Sequence, residues 1–219
     1  MANRSTIKRS LRALTRRRAL RIGVITDTHG LYDPAIERHF AGVAEILHAG
    51  DIGDQAVIRR LRRIAPVTAV SGNVDRYEAS GFPRRRLLRR GGVSIALCHV
   101  LYEKGKMTAE AEAWLNRVRP DMCVFGHSHR PTVARHGRTM LFNPGSAGPK
   151  RFSLPRGIGM LTVEAGKTLA RTIRLGDRAA PSSPAASVRQ HGHAGARSAK
   201  KSARRKGVAG QPGRRRRRP

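Results

Sequence analysis

At 219 residues the chain is long enough for one domain with a sizeable core and appendages. No run approaches the roughly 18 apolar residues of a spanning helix. Two cysteines, each inside an apolar run, read as buried small hydrophobes and are too few for a disulfide-built secreted scaffold, so a soluble, cytoplasmic protein is expected.

The net charge of +31 is unevenly spread. Residues 1–20 form a basic N-terminal extension, expected to be disordered and lacking the apolar stretch of a secretory signal. Residues 177–219 are rich in Arg, Ala, Pro and Gly, without periodicity, and read as a disordered basic tail. The tail's thirteen Lys or Arg suit non-specific binding of a polyanion such as nucleic acid, by counterion release. It has no interleaved aromatics, so base stacking is not expected. Residues 21–176 are the folding domain.

That domain alternates strands and helices. Residues 21–26 are a β-rich run ending at Asp27, and 33–42 a helix with Pro34 in its first turn. A strand over 44–49 ends at Gly50-Asp51. The helix that follows, 55–64, places Val57, Ile58, Leu61 and Ile64 on one face and arginines on the other. A strand over 67–70 ends at Gly72-Asn73. This β-α-β-α-β order predicts parallel pairing with right-handed crossovers.

The second half leans toward strands. Residues 86–90 and 93–98 flank a hairpin turn at Gly91-Gly92, and 108–118 form a helix stopped by Pro120. Strands follow at 122–125, 132–136 and 139–143, then a hairpin, 158–163 with 168–173, around Ala165-Gly166. Two sheets packed face to face with helices outside are expected.

Five fragments at the ends of these apolar runs carry the chemistry: Asp27-Thr28-His29, Gly50-Asp51, Gly72-Asn73, His99 and Gly126-His127-Ser128-His129. They supply two aspartates, one asparagine and four histidines. In an extended strand residues i and i+2 face the same way, so Asp27 with His29, and His127 with His129, are each expected to converge. The glycines are expected to allow tight turns before Asp51, Asn73 and His127. Such strand ends are where open α/β sheets place their sites. Seven polar groups there would be costly to bury without metal. Mixed oxygen and imidazole donors suit Mn²⁺, Zn²⁺, Fe or Ni²⁺ rather than calcium. Two divalent ions and hydrolysis of a phosphate ester are the chemistry indicated.

With these residues and Asn143-Pro144-Gly145-Ser146, the chain resembles the calcineurin-like metallophosphoesterase superfamily over roughly residues 21–173. It is most similar to that superfamily's small bacterial and archaeal phosphodiesterase branch, which is related to the retromer subunit of the same fold. The resemblance implies an α/β fold, a four-layer α-β-β-α sandwich of two mixed sheets, with a dinuclear metal site at the strand C-terminal ends. It implies one ion on Asp27, His29, Asp51 and His129, and a second on Asp51, Asn73, His99 and His127, with Asp51 bridging. Manganese is the first choice, and Zn²⁺, Ni²⁺, Fe²⁺ or Mg²⁺ are the alternatives. A metal-bridging hydroxide would attack phosphorus in line, with Asn73 stabilising the phosphoryl oxygens, and a phosphodiesterase is favoured over a monoesterase.

Two departures from the family pattern matter. Val74 stands where many members carry a histidine that is a candidate general acid, and His99-Val100-Leu101 replaces His-Gly-His. Poor protonation of the leaving group follows, favouring esters such as aryl diesters. Lys150 and Arg151 are candidates to bind substrate phosphate. His48 reads as a buried support rather than a ligand, Trp114 as core, and Asn143 to Ser146 as a turn ordering the site floor through backbone groups. Two other functions compete: a non-catalytic protein-binding scaffold of the same fold, and a nuclease or phosphatase tethered to nucleic acid by the tail.

Overall fold

The computed structural model describes residues 19–75, 81–151 and 153–176, so the expected leader, but for its last residues, and tail lie outside the described residues. In chain order the elements are β1 (Leu20–Ile25), α1 (Ala35–Phe40), β2 (Glu45–His48), α2 (Gln55–Leu61), β3 (Val67–Ala69), β4 (Arg85–Arg90) and β5 (Val93–Cys98). Then come β6 (Tyr102–Glu103), β7 (Lys106–Met107), α3 (Ala109–Val118), β8 (Met122–Val124), β9 (Thr132–His136), β10 (Thr139–Asn143), β11 (Gly157–Glu164) and β12 (Lys167–Arg174).

Two mixed five-stranded sheets result, in the orders β12-β11-β1-β2-β3 and β4-β5-β8-β10-β9. In the first, β1, β2 and β3 are parallel, while β11 lies antiparallel to both β1 and β12. In the second, β5, β8 and β10 are parallel, and β4 and β9 run antiparallel at the edges. The parallel strands β2 and β8 are covered on both faces: every residue of each is buried, as a doubly covered sheet requires.

Three apolar cores make this a four-layer α-β-β-α sandwich. One packs Ile36 and Phe40 of α1 and Val57, Ile58 and Leu61 of α2 onto the first sheet. A second lies between the sheets, where Ile22, Val24 and Leu47 meet Ile95, Leu97, Val124 and Phe142. The third holds Ala111, Trp114 and Leu115 of α3 against Ala96, Cys123 and Leu141. Cys98 and Cys123 are free and buried in it, with sulfurs 3.9 Å apart.

Local chemistry sets the helix starts. The Asp54 carboxylate accepts from Ala56 N ahead of α2, and Thr108 Oγ1 accepts from Ala111 N ahead of α3. Both early helices are shorter than the apolar pattern predicts: α1 spans six residues and α2 seven. The β6–β7 hairpin, turning through Lys104 and Gly105 at positive φ, is absent from the sequence reading, because two-residue strands leave no alternation to detect.

Arg90 on β4 donates to both carboxylate oxygens of Glu45 on β2, and Thr68 on β3 donates to the same carboxylate, tying the two sheets together. Burial opposes ionisation of Glu45, but these bonds outweigh it and hold its pKa below the ordinary 4.5. A carboxylate with a depressed folded pKa contributes stability above its unfolded pKa and loses it as pH falls through the folded value. Glu45→Gln is therefore expected to flatten the acid limb of the stability–pH curve below 4.5, read by urea unfolding at stepped pH. An unchanged acid limb would show that the pair contributes nothing.

Candidate metal centre

The loops that leave β1, β2, β5 and β8 meet at one end of the sandwich. Donor atoms of Asp27, His29 and His129 lie within 4.8 Å of one another, and so do those of Asp27, Asp51 and His99. His129 Nε2 is 3.2 Å from Asp27 Oδ1 and 3.3 Å from His29 Nε2. The Asp51 carboxylate stands between the groups, 3.8 Å from His29 Nε2 and 3.3 Å from His99 Nε2. Asp27 also faces His99, at 3.9 Å, a double membership the sequence reading had given to Asp51 alone.

His127 and Asn73 flank these groups. The His127 ring meets the His99 ring edge-on at 5.4 Å, and the backbone N–H of His127 donates to the Asp27 carboxylate. Asn73 is exposed and lines a cavity of about 590 Å³ that His99 also lines. Of the phosphate-binding candidates, Arg151 reaches to 3.4 Å from His29 Nε2, and Lys150 is exposed.

The donor set fits a cation. His99 Nε2 and His129 Nδ1 are buried without a hydrogen-bond partner, and the 3.3 Å approach of His99 Nε2 to Asp51 lacks hydrogen-bond alignment. Burial opposes ionisation of Asp51, but His99, the N–H of Val74 and His29 hold its pKa far below the usual carboxylate range. Burial pulls the His29 pKa down, keeping its imidazole neutral and able to coordinate.

How these side chains converge differs from the expectation. Asp27 and His29 are not on a strand, since β1 ends at Ile25. Asp27, His29, Asp51, His127 and His129 have φ of 54°, 46°, 53°, 70° and 55°, all in the left-handed region. Gly126 is needed for close approach rather than for a turn: a Cβ there would sit 2.1 Å from Thr26 Oγ1 and 2.8 Å from Asp27 Oδ2. At Gly72 a Cβ would sit 2.2 Å from Asp51 N.

The sequence pattern of the calcineurin-like phosphoesterase superfamily domain matches residues 20–166. The chain belongs to this superfamily. A probable metallophosphoesterase of Methanothermobacter thermautotrophicus is 32% identical over 161 residues, covering 71% of this chain and 92% of its own. One from Bacillus subtilis is 30% identical over 166 residues, covering 71% and 90%. Among solved structures, Chaetomium thermophilum Vps29 superposes with a TM-score of 0.58 at 20% identity, covering 72% of this chain and 97% of its own. A novel archaeal phosphodiesterase does so with 0.57 at 19% identity, covering 71% and 99%. The likenesses to solved structures establish the fold, and the superfamily match makes this chain a metallophosphoesterase.

Other residues of this metallophosphoesterase hold the centre in place. His48, fully buried, accepts from Gly50 N at Nδ1, so its Nε2–H donates to Thr28 Oγ1, which donates to the Ile52 carbonyl. Burial lowers its pKa to about 4, in keeping with that neutral form. Asp75 accepts from the N–H groups of Ile52, Gly53 and Gly72, pinning the Asp51 and Asn73 loops together. Asn143 donates to Gly126 O and Ser128 Oγ, and Ser146 Oγ donates to Asp27 O, so the floor is ordered by side chains as well as by backbone.

Arg156 escaped the sequence reading entirely. It is 1% exposed and donates to the carbonyls of Ala147, Gly148 and Gly176 and to Asp33 Oδ2. It thereby clamps the 144–148 turn, whose Gly148 N donates to Asp27 O. A lone arginine ahead of an apolar strand carries no pattern that marks it as buried. Arg156→Met should destabilise the fold by about 3–5 kcal/mol in urea unfolding by stranding the Asp33 carboxylate, with partial recovery on adding Asp33→Asn. No recovery in the double variant would assign the loss to the carbonyls instead.

Proposed function

We propose that this metallophosphoesterase is a phosphodiesterase working with two divalent ions, manganese first among them. What carries the reading is the pair of buried carboxylates, Asp27 and Asp51, ringed by imidazoles of which His99 Nε2 has no hydrogen-bond partner. Asp27, His29, Asp51 and His129 would hold one ion, and Asp51, Asn73, His99 and His127 the other. Such ions, when bound, lower the pKa of water toward neutrality and neutralise charge developing on the phosphoryl group.

The chain's own groups do the rest. Asp51, ionised at neutral pH, lies between the imidazoles of His29 and His99 and would be shared by the two ions. Asn73, which lines the cavity, would help hold an ion through its carbonyl oxygen and would offer its amide N–H to a phosphoryl oxygen. Arg151, beside His29, would bind the substrate phosphate, and Lys150 would add charge there.

Nothing at the third motif donates a proton. The Val74 side chain is 52% exposed and only its N–H turns inward, to Asp51. Leu101 is fully buried in the core under α3.

Bis-p-nitrophenyl phosphate with Mn²⁺ is the deciding assay. Wild type should hydrolyse it, and Asp51→Asn should lose at least about a hundredfold in kcat/KM. Mn²⁺ at roughly 100 times its Kd should stabilise wild type by about 2.7 kcal/mol and leave Asp51→Asn nearly unmoved. Stabilisation without turnover on any diester would favour a scaffold of the kind its Vps29-like fold allows. Across aryl phosphodiesters, log kcat/KM should fall steeply with leaving-group pKa, and a flat slope would require a proton donor other than residue 74. Deleting residues 177–219 should weaken salt-sensitive nucleic-acid binding and leave small-ester turnover intact.

A further inference from the structure

The cavity beside Asn73 and His99 has unusual walls for a ligand site of its size. At about 590 Å³ it falls within the range of small-molecule sites, which are mostly lined by apolar and aromatic side chains. Among the described residues the lining contains no Phe, Tyr or Trp, and its one aliphatic side chain is Val100. Cys98 also lines it but is buried, its thiol against that of Cys123. The rest is polar and of both charge signs.

Several of these groups are already engaged by the protein. The Asp75 carboxylate is taken up by three backbone N–H groups. Arg85 is ion-paired with Glu110 at 2.7 Å and lies over the Trp114 ring. Arg84 and Glu103 have no such partners among the described residues. Thr108 Oγ1 accepts from Ala111 N, leaving its O–H to donate into the cavity. The walls thus present a guanidinium and a hydroxyl as donors facing carboxylates as acceptors.

This pattern selects among ester groups. A second phosphate would find Arg84 but would also face Glu103, since Arg85 and Glu110 already neutralise each other, and like charges repel. An aryl or alkyl group would desolvate Arg84 and Glu103 with nothing to replace their water, which is unfavourable. Hydroxyl groups donate and accept at once, and so satisfy both kinds of wall.

We propose that this cavity is the subsite for the organic group that stays on phosphorus when the leaving group departs, and that this retained group is polyhydroxylated: a sugar or polyol rather than an aryl, alkyl or further phosphorylated moiety. Glu103 accepts from its hydroxyls and Arg84 donates to their oxygens. The proposal deepens the phosphodiesterase reading and rests on it.

The test compares glyceryl p-nitrophenyl phosphate with propyl p-nitrophenyl phosphate, on the full chain with Mn²⁺. Both release p-nitrophenolate, and they differ only in two hydroxyls. Wild type should show a KM roughly tenfold lower for the glyceryl ester, the size of one or two hydrogen bonds. That ratio should fall below about twofold in Glu103→Gln combined with Arg84→Met, and persist in Arg89→Met, an exposed arginine of β4 outside the cavity. Equal KM values in wild type, or a ratio that survives the double variant, would overturn the subsite. Calorimetric binding of glyceryl methyl phosphate against propyl methyl phosphate reads the same preference without turnover. A preference there, with no hydrolysis of any diester, would keep the subsite and sink the phosphodiesterase reading instead.

Discussion

Five residues of the candidate metal centre, Asp27, His29, Asp51, His127 and His129, hold backbone conformations that side-chain-bearing residues seldom adopt, and the rest of the structure is arranged to keep them there. Each left-handed residue costs on the order of 1–2 kcal/mol, so such backbone persists only where its surroundings over-determine it. Here the surroundings are backbone hydrogen bonds that continue past the strand ends. Asp27 N donates to Gly50 O, His29 N to Asp51 O and Gly30 N to Ile52 O, lacing the first two loops together. Gly126 N donates to His99 O, coupling the histidine loops in the same way.

A second ring of groups braces this lacing. Asp75 gathers three amides of the Asp51 and Asn73 loops, while His48 and Thr28 lock the start of one loop to the start of another. Arg156 and Asp33, buried far from solvent, secure the turn that supports Asp27 from below. Concentrating two carboxylates and three imidazoles within reach of one another is unfavourable without a counter-ion, which is why the donor set fits a cation.

Much of the fold was legible in the sequence, for a physical reason. Strands such as β2 and β8 are short, continuously buried runs and the buried face of α2 repeats at helical spacing, and both kinds of pattern can be read along the chain. The hairpin β6–β7 was not legible, because two-residue strands have no period. The end of α2 was misplaced because the backbone tightens into turns after Leu61, with Arg63 N donating to Arg60 O and Ile64 N to Leu61 O, while Ile64 and Ala65 still pack on the core. The site residues were legible as residue types at strand ends, yet the reason given for their convergence, alternation along a strand, was wrong. Left-handed loop backbone leaves no periodic trace, and neither does a buried arginine.

By itself the sequence determined which donors exist, in what order they follow the strands, and the alternation of elements that makes two mixed sheets with helices outside. Only the tertiary structure decided that Asp27 faces both donor groups, that Gly72 and Gly126 serve close approach, and that Arg156 is interior. It also decided that a polar cavity opens beside Asn73 and His99. The division follows the range of the forces involved. Burial pattern and residue chemistry are local and readable along the chain. The meeting of Asp27 with His129, or of Asp33 with Arg156, joins residues more than a hundred positions apart, and only packing brings them together.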